Sequence, residues 1–387
     1  MRKMKLAMLI VFCVMLFGGT VVSFVLPDRE FSDVENRELA KKPKITAKRI
    51  LSGEYQKEYD TYLSDQFFFR DKWVDLAVRE QIALGKKDFN GVYLGKNNYL
   101  LEKYEKADFD SGQIKENETY LTTFLNETEK RYGRKHVRAM FVPSKTTALT
   151  NALPAYADTI DWQSMIRDLQ TKVDEPNLIY DLTKTMQSHN EEYIYYRTDH
   201  HWTTLGAYYA YTEFCKAKGI TPESLDAYSK KQDFDGFLGS FYNDTSDAKL
   251  KANPDTVTAY YPNAESICHV TASDGKKYDW PVIYDVSNYN AGLKYSTFIA
   301  SDNPYTEIEN KDLSDGSSCI VVKESFGNAF IPFLVDHYQT VYVVDYRYWT
   351  GSISKLAQDK KVNDVLFLNN LSMIRNKSLV GKLYRVL

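Results

Sequence analysis

Short apolar segments alternate with helical patterns through much of the chain beyond residue 136. Strands are predicted at residues 137–142, 178–180, 319–322, 341–344 and 365–368. Helices are predicted between them, including one from Thr203 or Thr204 to Lys218 with Gly219 just beyond its end. Strands that alternate with helices are joined by right-handed crossovers and form a mostly parallel sheet. The sequence therefore predicts an α/β domain with a three-layer, mostly parallel sheet.

The first residues have the pattern of a membrane anchor. Arg2, Lys3 and Lys5 precede an uncharged stretch at residues 6–26. At about 1.5 Å per residue, such a helix is roughly 32 Å long, enough to cross a hydrocarbon core of roughly 30 Å. The basic residues predict an inside N-terminus, so residues 1–27 are expected to hold the chain on the outer face of the plasma membrane. A cleaved signal peptide and a secreted form are the alternative.

The remaining chain divides into two further regions by pattern. Residues 28–110 read as a charged stalk followed by a helical and hairpin lead-in. Residues 111–387 carry the strand–helix alternation and form the predicted catalytic domain. That alternation is interrupted at about 228–315, where Asp, Asn, Tyr and Gly are frequent. We expect an inserted β or irregular segment there.

Charge and cysteine content exclude several classes of function. The net charge is −3, and no basic stripe indicates nucleic-acid binding. Of the 4 cysteines, Cys13 lies in the predicted anchor, which leaves Cys215, Cys268 and Cys319 for at most one disulfide. No C-x-x-C spacing occurs. We interpret these cysteines as small buried apolar residues rather than as bridges or zinc ligands.

The run Asp199-His200-His201-Trp202 follows a predicted strand and precedes a predicted helix, where α/β sheets gather active sites. A carboxylate two residues from an imidazole orients that imidazole for general base catalysis. Two other interpretations stay open. The carboxylate and both imidazoles are also metal-ligand types, although adjacent histidines diverge and no further His motif occurs. Finally, both histidines suit a buried structural role.

A second polar turn follows the apolar strand at residues 319–322. Ser325 lies in this turn, directly before a predicted helix. A serine there has an exposed hydroxyl, and the helix N–H groups are placed to hold an oxyanion. Gly327 would let the backbone approach a ligand closely. The alternative is an ordinary helix N-cap. The turn lacks the G-x-S-x-G pattern of α/β-hydrolases.

The two features together predict a Ser-His-Asp arrangement. Ser325 would attack an acyl carbon, His201 would take its proton, and Asp199 would hold the tautomer of His201. The chain order Asp, His, Ser is no objection, because the same geometry recurs in unrelated orders.

The run Thr198-Asp199-His200-His201-Trp202-Thr203, with Gly206-Ala207-Tyr208 after it, resembles the signature of the bacterial DHHW family. That family is similar to the SGNH-hydrolase-like O-acetyltransferases of alginate biosynthesis, which have an Asp-x-His-Trp motif and a downstream Ser. Smaller similar pieces are Val142-Pro143-Ser144-Lys145 and Ser325-Phe326-Gly327-Asn328. The resemblance implies an SGNH-like fold with Asp199 and His201 as the catalytic pair and Ser325 as the nucleophile.

Three further residues receive roles from the same resemblance. It implies that Trp202 packs beside the site or stacks on a sugar, and that Arg347 binds ligand. Asn303, in Ser301-Asp302-Asn303-Pro304, is a candidate second oxyanion donor, because the Gly-Asp-Ser block usual in SGNH hydrolases is absent. For Asn303 and Arg347, an ordinary role in a turn or on the surface is the alternative.

The resemblance implies an extracytoplasmic O-acetyltransferase that acts on a cell-surface or exported polysaccharide. It also implies a membrane-bound O-acyltransferase partner that delivers the acyl group. Serine chemistry of this kind needs no metal and no organic cofactor. A carbohydrate esterase with the same residues is one alternative function. A non-catalytic glycan-binding or assembly protein of the envelope is the other.

Overall fold

The structure is a computed structural model that describes residues 2–32, 37–104, 111–245 and 248–387. The chain forms two compact units. One comprises Met1–Lys86 with Tyr242–Ala252, and the other comprises Lys87–Phe241 with Asn253–Leu387. The end of the predicted lead-in, at residues 105–110, lies outside the described residues. All of the residues proposed from sequence for the site belong to the second unit.

An eight-stranded sheet is the centre of the second unit. Its strands, numbered here in chain order, are β1 Val137–Val142, β2 Ile179–Asp181, β3 Ser266–Thr271, β4 Lys277–Trp280, β5 Tyr305–Asn310, β6 Ser318–Lys323, β7 Thr340–Asp345 and β8 Asp364–Asn370. Their order across the sheet is β4-β3-β5-β7-β6-β8-β1-β2. All five strands predicted from the sequence therefore lie side by side in this sheet.

The sheet is mixed rather than mostly parallel, which corrects the expectation from sequence. Strands β7, β6, β8, β1 and β2 pair in parallel, whereas β4, β3 and β5 add to the β7 edge in antiparallel pairs. The three antiparallel strands come from the segment predicted as an insertion at 228–315. Because only a short turn joins β3 to β4, these two strands can pair only antiparallel.

Apolar cores cover both faces of the sheet. In β6, Cys319 and Val321 belong to one core, and Ile320 and Val322 belong to the other. A strand buried on both faces reads as a continuous apolar run, which is why β6 could be recognised in the sequence. The first core also contains Cys215 and Cys268, and together with Cys319 they are buried free thiols, as interpreted above.

The helices of the second unit follow the predicted alternation. They are Ser111–Tyr132, Lys145–Ala148, Trp162–Lys172, Thr183–Ser188, Thr204–Lys218, Gly327–Phe330, Ile353–Lys360 and Lys377–Arg385. The Thr204–Lys218 helix begins and ends as predicted. The Thr203 hydroxyl accepts a hydrogen bond from the Gly206 N–H, and Gly219 ends the helix at a φ of 70°. A 3₁₀ helix at Ile331–His337 follows directly on the Gly327–Phe330 helix.

Smaller β elements complete the second unit. Strands Asp88–Phe89, Val92–Leu94 and Leu100–Glu102 form a three-stranded sheet, and Lys231–Phe237 pairs antiparallel with Asp255–Tyr260. The hairpin predicted within the lead-in is confirmed, since Val92–Leu94 pairs with Leu100–Glu102.

The first unit is mostly helical in its described residues. Its helices include Arg2–Cys13, a π-helical turn at Val14–Gly18, Gly19–Val25, Ala47–Leu51, Glu54–Asp65, Arg70–Ala83 and Ala248–Ala252. None of the helices in the described part of the chain is both long and apolar enough to cross a membrane. The membrane anchor expected at residues 1–27 stays a prediction.

Candidate active site

Two polar segments meet beside the sheet. One is the loop that contains Asp199 and His201, directly before the Thr204–Lys218 helix. The other is the turn with Ser325, which follows the end of β6 at Lys323. Because β6 lies between two parallel neighbours, the turn after it opens at the carboxyl edge of the sheet, where ligand sites form in α/β folds.

Asp199, His201 and Ser325 form one chain of hydrogen bonds. The Nδ1 atom of His201 lies 2.6 Å from Asp199 Oδ1, and its Nε2 atom lies 2.7 Å from Ser325 Oγ. An ionised carboxylate only accepts hydrogen bonds, so Nδ1 carries the proton and Nε2 is the acceptor for the serine hydroxyl. Asp199 and His201 are both buried, while Ser325 is partly accessible. The structure thus places the three predicted catalytic residues together.

Asp199 is held ionised by several donors. Oδ1 also accepts the backbone N–H of His201 at 2.9 Å, and Oδ2 accepts the backbone N–H and hydroxyl of Ser240 at 2.7 and 3.0 Å. Burial by itself raises the pKa of Asp199, but the neighbouring His200 and His201 and the hydrogen bonds from His201 outweigh burial and hold the pKa well below its ordinary value. Ser240 was not found from the sequence, because it lies 41 residues away, at the start of the short Ser240–Thr245 helix.

Gly239, next to Ser240, has no side chain, and the Asp199 side chain occupies the space that one would fill. A Cβ atom at Gly239 would lie 2.2 Å from the Cβ and 2.3 Å from the Oδ2 of Asp199. Real Cβ contacts are not this short, so one of the two segments would have to move. The glycine is therefore required by close approach rather than by an unusual backbone angle.

We expect Gly239→Ala to displace Asp199 and to lower both stability and activity. Overpacking of this kind costs about 1–3 kcal/mol, and a displaced carboxylate no longer orients His201. Thermal unfolding and esterase turnover would measure the two effects. Gly381→Ala, in the Lys377–Arg385 helix, is the matched control, because a Cβ there meets nothing within 4 Å. Equal results for the two variants would contradict the prediction.

Aromatic rings fix the plane of the His201 imidazole. Tyr295 stacks on it with ring centroids 4.2 Å apart, and Phe326 lies 4.9 Å away. The Tyr295 hydroxyl donates to the Ser325 carbonyl at 3.1 Å. Trp202 is fully buried, and its Nε1 donates to the Phe326 carbonyl at 3.0 Å. Of the two roles considered for Trp202, the structure favours packing beside the site over stacking on a sugar.

A buried ionic cluster lies under the Ser325 turn. Lys323, the last residue of β6, donates to Asp302 and Asp345 at 3.0 Å each and to Asn328 at 2.7 Å. Arg347 binds Asp345 through Nε at 2.8 Å and Nη2 at 2.6 Å, and its Nη2 also lies 2.8 Å from Asp302. Two cations thus face two carboxylates, which balances the buried charge.

Arg347 lines the cleft and also takes part in the ionic cluster. It lines the cleft beside Ser325, as the prediction of a ligand-binding residue requires, yet its Nε and Nη2 atoms are committed to Asp345 and Asp302. The carboxylates on both sides raise the pKa of Arg347, so it stays charged. The clearest contribution of Arg347 in this structure is therefore to join Asp345, the last residue of β7, to Asp302.

The three N–H groups that follow Ser325 are bonded within the turn itself. Phe326 donates to Glu324 Oε2 at 3.3 Å, Gly327 to the Glu324 carbonyl at 3.0 Å, and Asn328 to the Ser325 carbonyl at 3.2 Å. The expectation that these groups are free to hold an oxyanion is therefore corrected. Ser325 is not a helix cap either, since its hydroxyl is directed to His201 and Glu324.

Two further residues have other roles than predicted. A Cβ at Gly327 would lie 2.7 Å from Lys323 Cβ, so this glycine allows the turn to pack on Lys323 rather than a ligand to approach. The amide of Asn303 donates to the Ala300 carbonyl at 2.8 Å. Asn303 does not line the cleft beside Ser325, so the structure does not bring it to Ser325 as an oxyanion donor.

Glu324 is a buried carboxyl that the sequence analysis did not assign. Its Oε2 lies 3.2 Å from Ser325 Oγ, and its Oε1 accepts the Asn370 N–H at 3.0 Å. Burial raises the pKa of Glu324, although Arg347 and the backbone donors oppose this rise. A carboxyl of raised pKa beside a nucleophile is a common feature of functional sites.

A cleft of about 300 Å³ opens beside Ser325. Its lining includes His200, Glu324, Ser325, Phe326, Arg347 and Asn370. A larger cleft of about 540 Å³ lies beside Tyr193 and Arg197, but Ser325 does not line it. We take the smaller cleft as the candidate active site, because the hydrogen-bonded hydroxyl opens into it.

Lys145 holds the Asp199 loop in place through hydrogen bonds to backbone carbonyls. This fully buried lysine donates from Nζ to the backbone carbonyls of Leu100 and Asp199 at 2.6 and 2.5 Å. Burial lowers the pKa of Lys145 to about 8, although Glu102, Asp199 and Asp255 oppose this shift. Lys145 ends the Val142-Pro143-Ser144-Lys145 piece noted in the sequence, which now has a physical role.

The lowered pKa of Lys145 predicts a pH-dependent difference in stability. Above pH 8 the folded chain loses the Lys145 proton, whereas the unfolded chain keeps it until about pH 10.4. The unfolded state then binds more protons, so this residue adds stability as pH rises, by up to about 1.4 kcal/mol per pH unit. We expect the free energy of unfolding of wild type to rise relative to that of Lys145→Met as the pH increases from 8 to 10.

Urea unfolding of both proteins at each pH would measure this difference. The comparison removes the effect of three buried thiols on stability. The raised pKa values of Cys215, Cys268 and Cys319 destabilise both proteins equally at high pH. A difference that stays constant across the range would show that Lys145 titrates as in water.

The metal interpretation of Asp199, His200 and His201 has some geometric support. Each residue offers one ligand atom, and these atoms lie within 4.8 Å of one another. However, Asp199 and Ser325 already engage both ring nitrogens of His201, and a ligand nitrogen would have to leave one of these bonds. The arrangement therefore favours the hydrogen-bonded acid–base role over the metal site.

Fold and site together define an α/β protein with a hydrogen-bonded serine, histidine and aspartate beside a polar cleft. The chain matches the DHHW protein family over residues 108–344. It belongs to the DHHW family. No curated protein sequence matches the chain significantly.

Solved structures have a similar fold. A DHHW family protein from Eubacterium siraeum is 26% identical, with a TM-score of 0.64 and coverage of 77% of this chain and 99% of that one. Bacillus cereus PatB1, solved with a sulfonyl adduct, is 22% identical, with a TM-score of 0.58 and coverage of 74% and 98%. The O-acetyltransferase domain of Pseudomonas putida AlgJ is 14% identical, with a TM-score of 0.45 and coverage of 76% and 98%.

Proposed function

We propose that this protein is an O-acetyltransferase that carries the acetyl group on Ser325. The observation that carries the proposal is the chain of hydrogen bonds from Ser325 Oγ through His201 to Asp199, at 2.7 and 2.6 Å. These are the distances at which an imidazole acts as a general base toward a nucleophilic hydroxyl. In this proposal, Ser325, His201 and Asp199 form a catalytic triad in an SGNH-like domain.

The reaction would proceed in two steps. His201 Nε2 takes the Ser325 proton while Oγ bonds to the acyl carbon of the donor, and His201 returns this proton to the leaving group. The acceptor hydroxyl then gives its proton to His201 and attacks the acyl-serine. The bond from Oγ to the acyl carbon breaks, and His201 reprotonates Ser325. Asp199 stabilises the imidazolium formed in each step.

The acceptor and the setting follow from the resemblance of the Asp199 motif to acetyltransferases of polysaccharides. We propose a hydroxyl of a cell-surface or exported polysaccharide as acceptor, and a site of action outside the plasma membrane. A membrane-bound O-acyltransferase would supply the acyl group. The polar lining of the cleft, with Glu324, Arg347 and Asn370, suits a hydroxyl-rich ligand.

A carbohydrate esterase is the second candidate function, because the same hydrogen bonds serve water as acceptor. The partial accessibility of Ser325 favours this alternative. Both functions predict an acetyl-serine, and they differ only in which hydroxyl attacks it.

Incubation of the full-length chain with p-nitrophenyl acetate and acetyl-free oligosaccharides would test the proposal. Mass spectrometry should find one acetyl group on the peptide containing Ser325, followed by acetylated oligosaccharide. Release of acetate without acetylated sugar would favour the esterase. Failure to acetylate Ser325 would reject both functions.

A further inference from the structure

His200 lies in the cleft next to the proposed catalytic histidine. Its side chain is 37% exposed and lines the cleft together with Ser325. The ring centroids of His200 and His201 are 3.8 Å apart. Phe241 and Phe326 flank the His200 ring at 5.9 and 5.8 Å. Two imidazoles therefore stand side by side where an acceptor would approach Ser325.

The hydrogen bonds around Ser240 determine which nitrogen of His200 carries the proton. The single hydroxyl proton of Ser240 is donated to Asp199 Oδ2, at 3.0 Å. The Ser240 oxygen must then accept from His200 Nδ1, which lies 2.8 Å away. Nδ1 thus carries the proton of the neutral ring. His200 Nε2 keeps a lone pair and is a hydrogen-bond acceptor.

The electrostatic surroundings keep this ring neutral. Partial removal of the ring from water and the neighbouring His201 lower the pKa of His200, although Asp199, Glu324 and Glu102 oppose the shift. At neutral pH the ring therefore presents a lone pair rather than a second donor. A hydroxyl group is the natural partner, because it donates one hydrogen bond and keeps its oxygen for other contacts.

We propose that His200 Nε2 binds a second hydroxyl of the acceptor, next to the hydroxyl that attacks the acyl-serine. The acceptor class is then a vicinal diol, as on a sugar ring, rather than an isolated alcohol. The attacking hydroxyl gives its proton to His201, while its neighbour donates a hydrogen bond to His200. The inference rests on the proposed acetyl transfer and deepens it, since it gives the first His of the motif a role in acceptor choice.

Acceptor selectivity of the full-length chain tests this role. With p-nitrophenyl acetate as donor, transfer to cis-1,2-cyclohexanediol is compared with transfer to cyclohexanol by gas chromatography. We expect wild type to prefer the diol by about tenfold per hydroxyl, the value of one well-placed hydrogen bond. His200→Asn retains an amide donor for Ser240 but lacks the Nε2 acceptor, so it should lose this preference.

His200→Gln is the matched control, since its carbonyl oxygen reaches the position of Nε2. It should restore part of the diol preference, which a purely structural role of His200 would not predict. Equal losses with both acceptors in His200→Asn, or an unchanged ratio, would overturn the inference. If wild type forms no acetyl-serine, the proposed function fails as well. Acylation with no diol preference would overturn the inference alone.

Discussion

Ser325→Ala should abolish acetyl transfer, with a loss of at least about four orders of magnitude in turnover. The alanine removes the only atom that forms the acyl bond, and what remains is water attack on a bound donor. The hydroxyl contributes little to folding, because Ser325 is partly accessible and its partner Glu324 lines the cleft, where water can replace the lost hydrogen bond. We therefore expect a folded, inactive protein.

Ester cleavage, acetyl-peptide mass and cell-surface acetylation would be measured for this variant at matched protein levels. Ser287→Ala, at an exposed serine in the same unit, is the control and should behave as wild type. A sulfonyl fluoride reagent offers a direct check, because it should label wild type and not Ser325→Ala. Unchanged surface acetylation in Ser325→Ala would instead favour the non-catalytic envelope role.

Asp199→Asn should lower turnover by about 10⁴-fold and should also destabilise the protein. The larger part of the effect comes from the tautomer of His201, which an amide no longer fixes. Neither orientation of the amide satisfies the site. With its NH₂ at the Oδ1 position it meets the His201 backbone N–H, and at the Oδ2 position it meets two donors of Ser240.

A buried donor that faces another donor costs about 1–3 kcal/mol, so the unfolding midpoint should fall as well. Turnover and urea unfolding of Asp199→Asn would be compared with those of Asp285→Asn, at an exposed carboxylate. Asp199→Asn with turnover within tenfold of wild type would show that the carboxylate has no part in catalysis.

Several parts of the fold were predictable, because the pattern of neighbouring residues in the sequence agrees with the burial and the ends of the elements that they form. Strand β6 reads as an unbroken apolar run, since both of its faces are covered. The Thr204–Lys218 helix has Thr203 as its N-cap and Gly219 at its C-terminal end, and both capping residues can be recognised in the sequence. The antiparallel edge of β3, β4 and β5 was not predictable, because these strands carry many polar residues and a long segment without strands separates β4 from β5.

The site divides in the same way between local and distant determinants. Asp199 and His201 are two residues apart, so their contact is a property of one loop. Ser325 lies 124 residues from His201, and only the sheet brings them within 2.7 Å. Likewise Ser240 reaches Asp199 from 41 residues away, and Gly239 is its neighbour, where no local motif marks either residue.

The sequence by itself determined the α/β class, the family signature and the Asp199–His201 pair, because each depends on neighbours along the chain. Tertiary structure alone decided the mixed sheet, the commitment of Arg347 to Asp345 and Asp302, and the contact of Ser325 with His201. The physical reason is that hydrogen bonds and ion pairs between distant segments depend on packing. No spacing in the sequence encodes which polar groups the packed strands bring within 3 Å of one another.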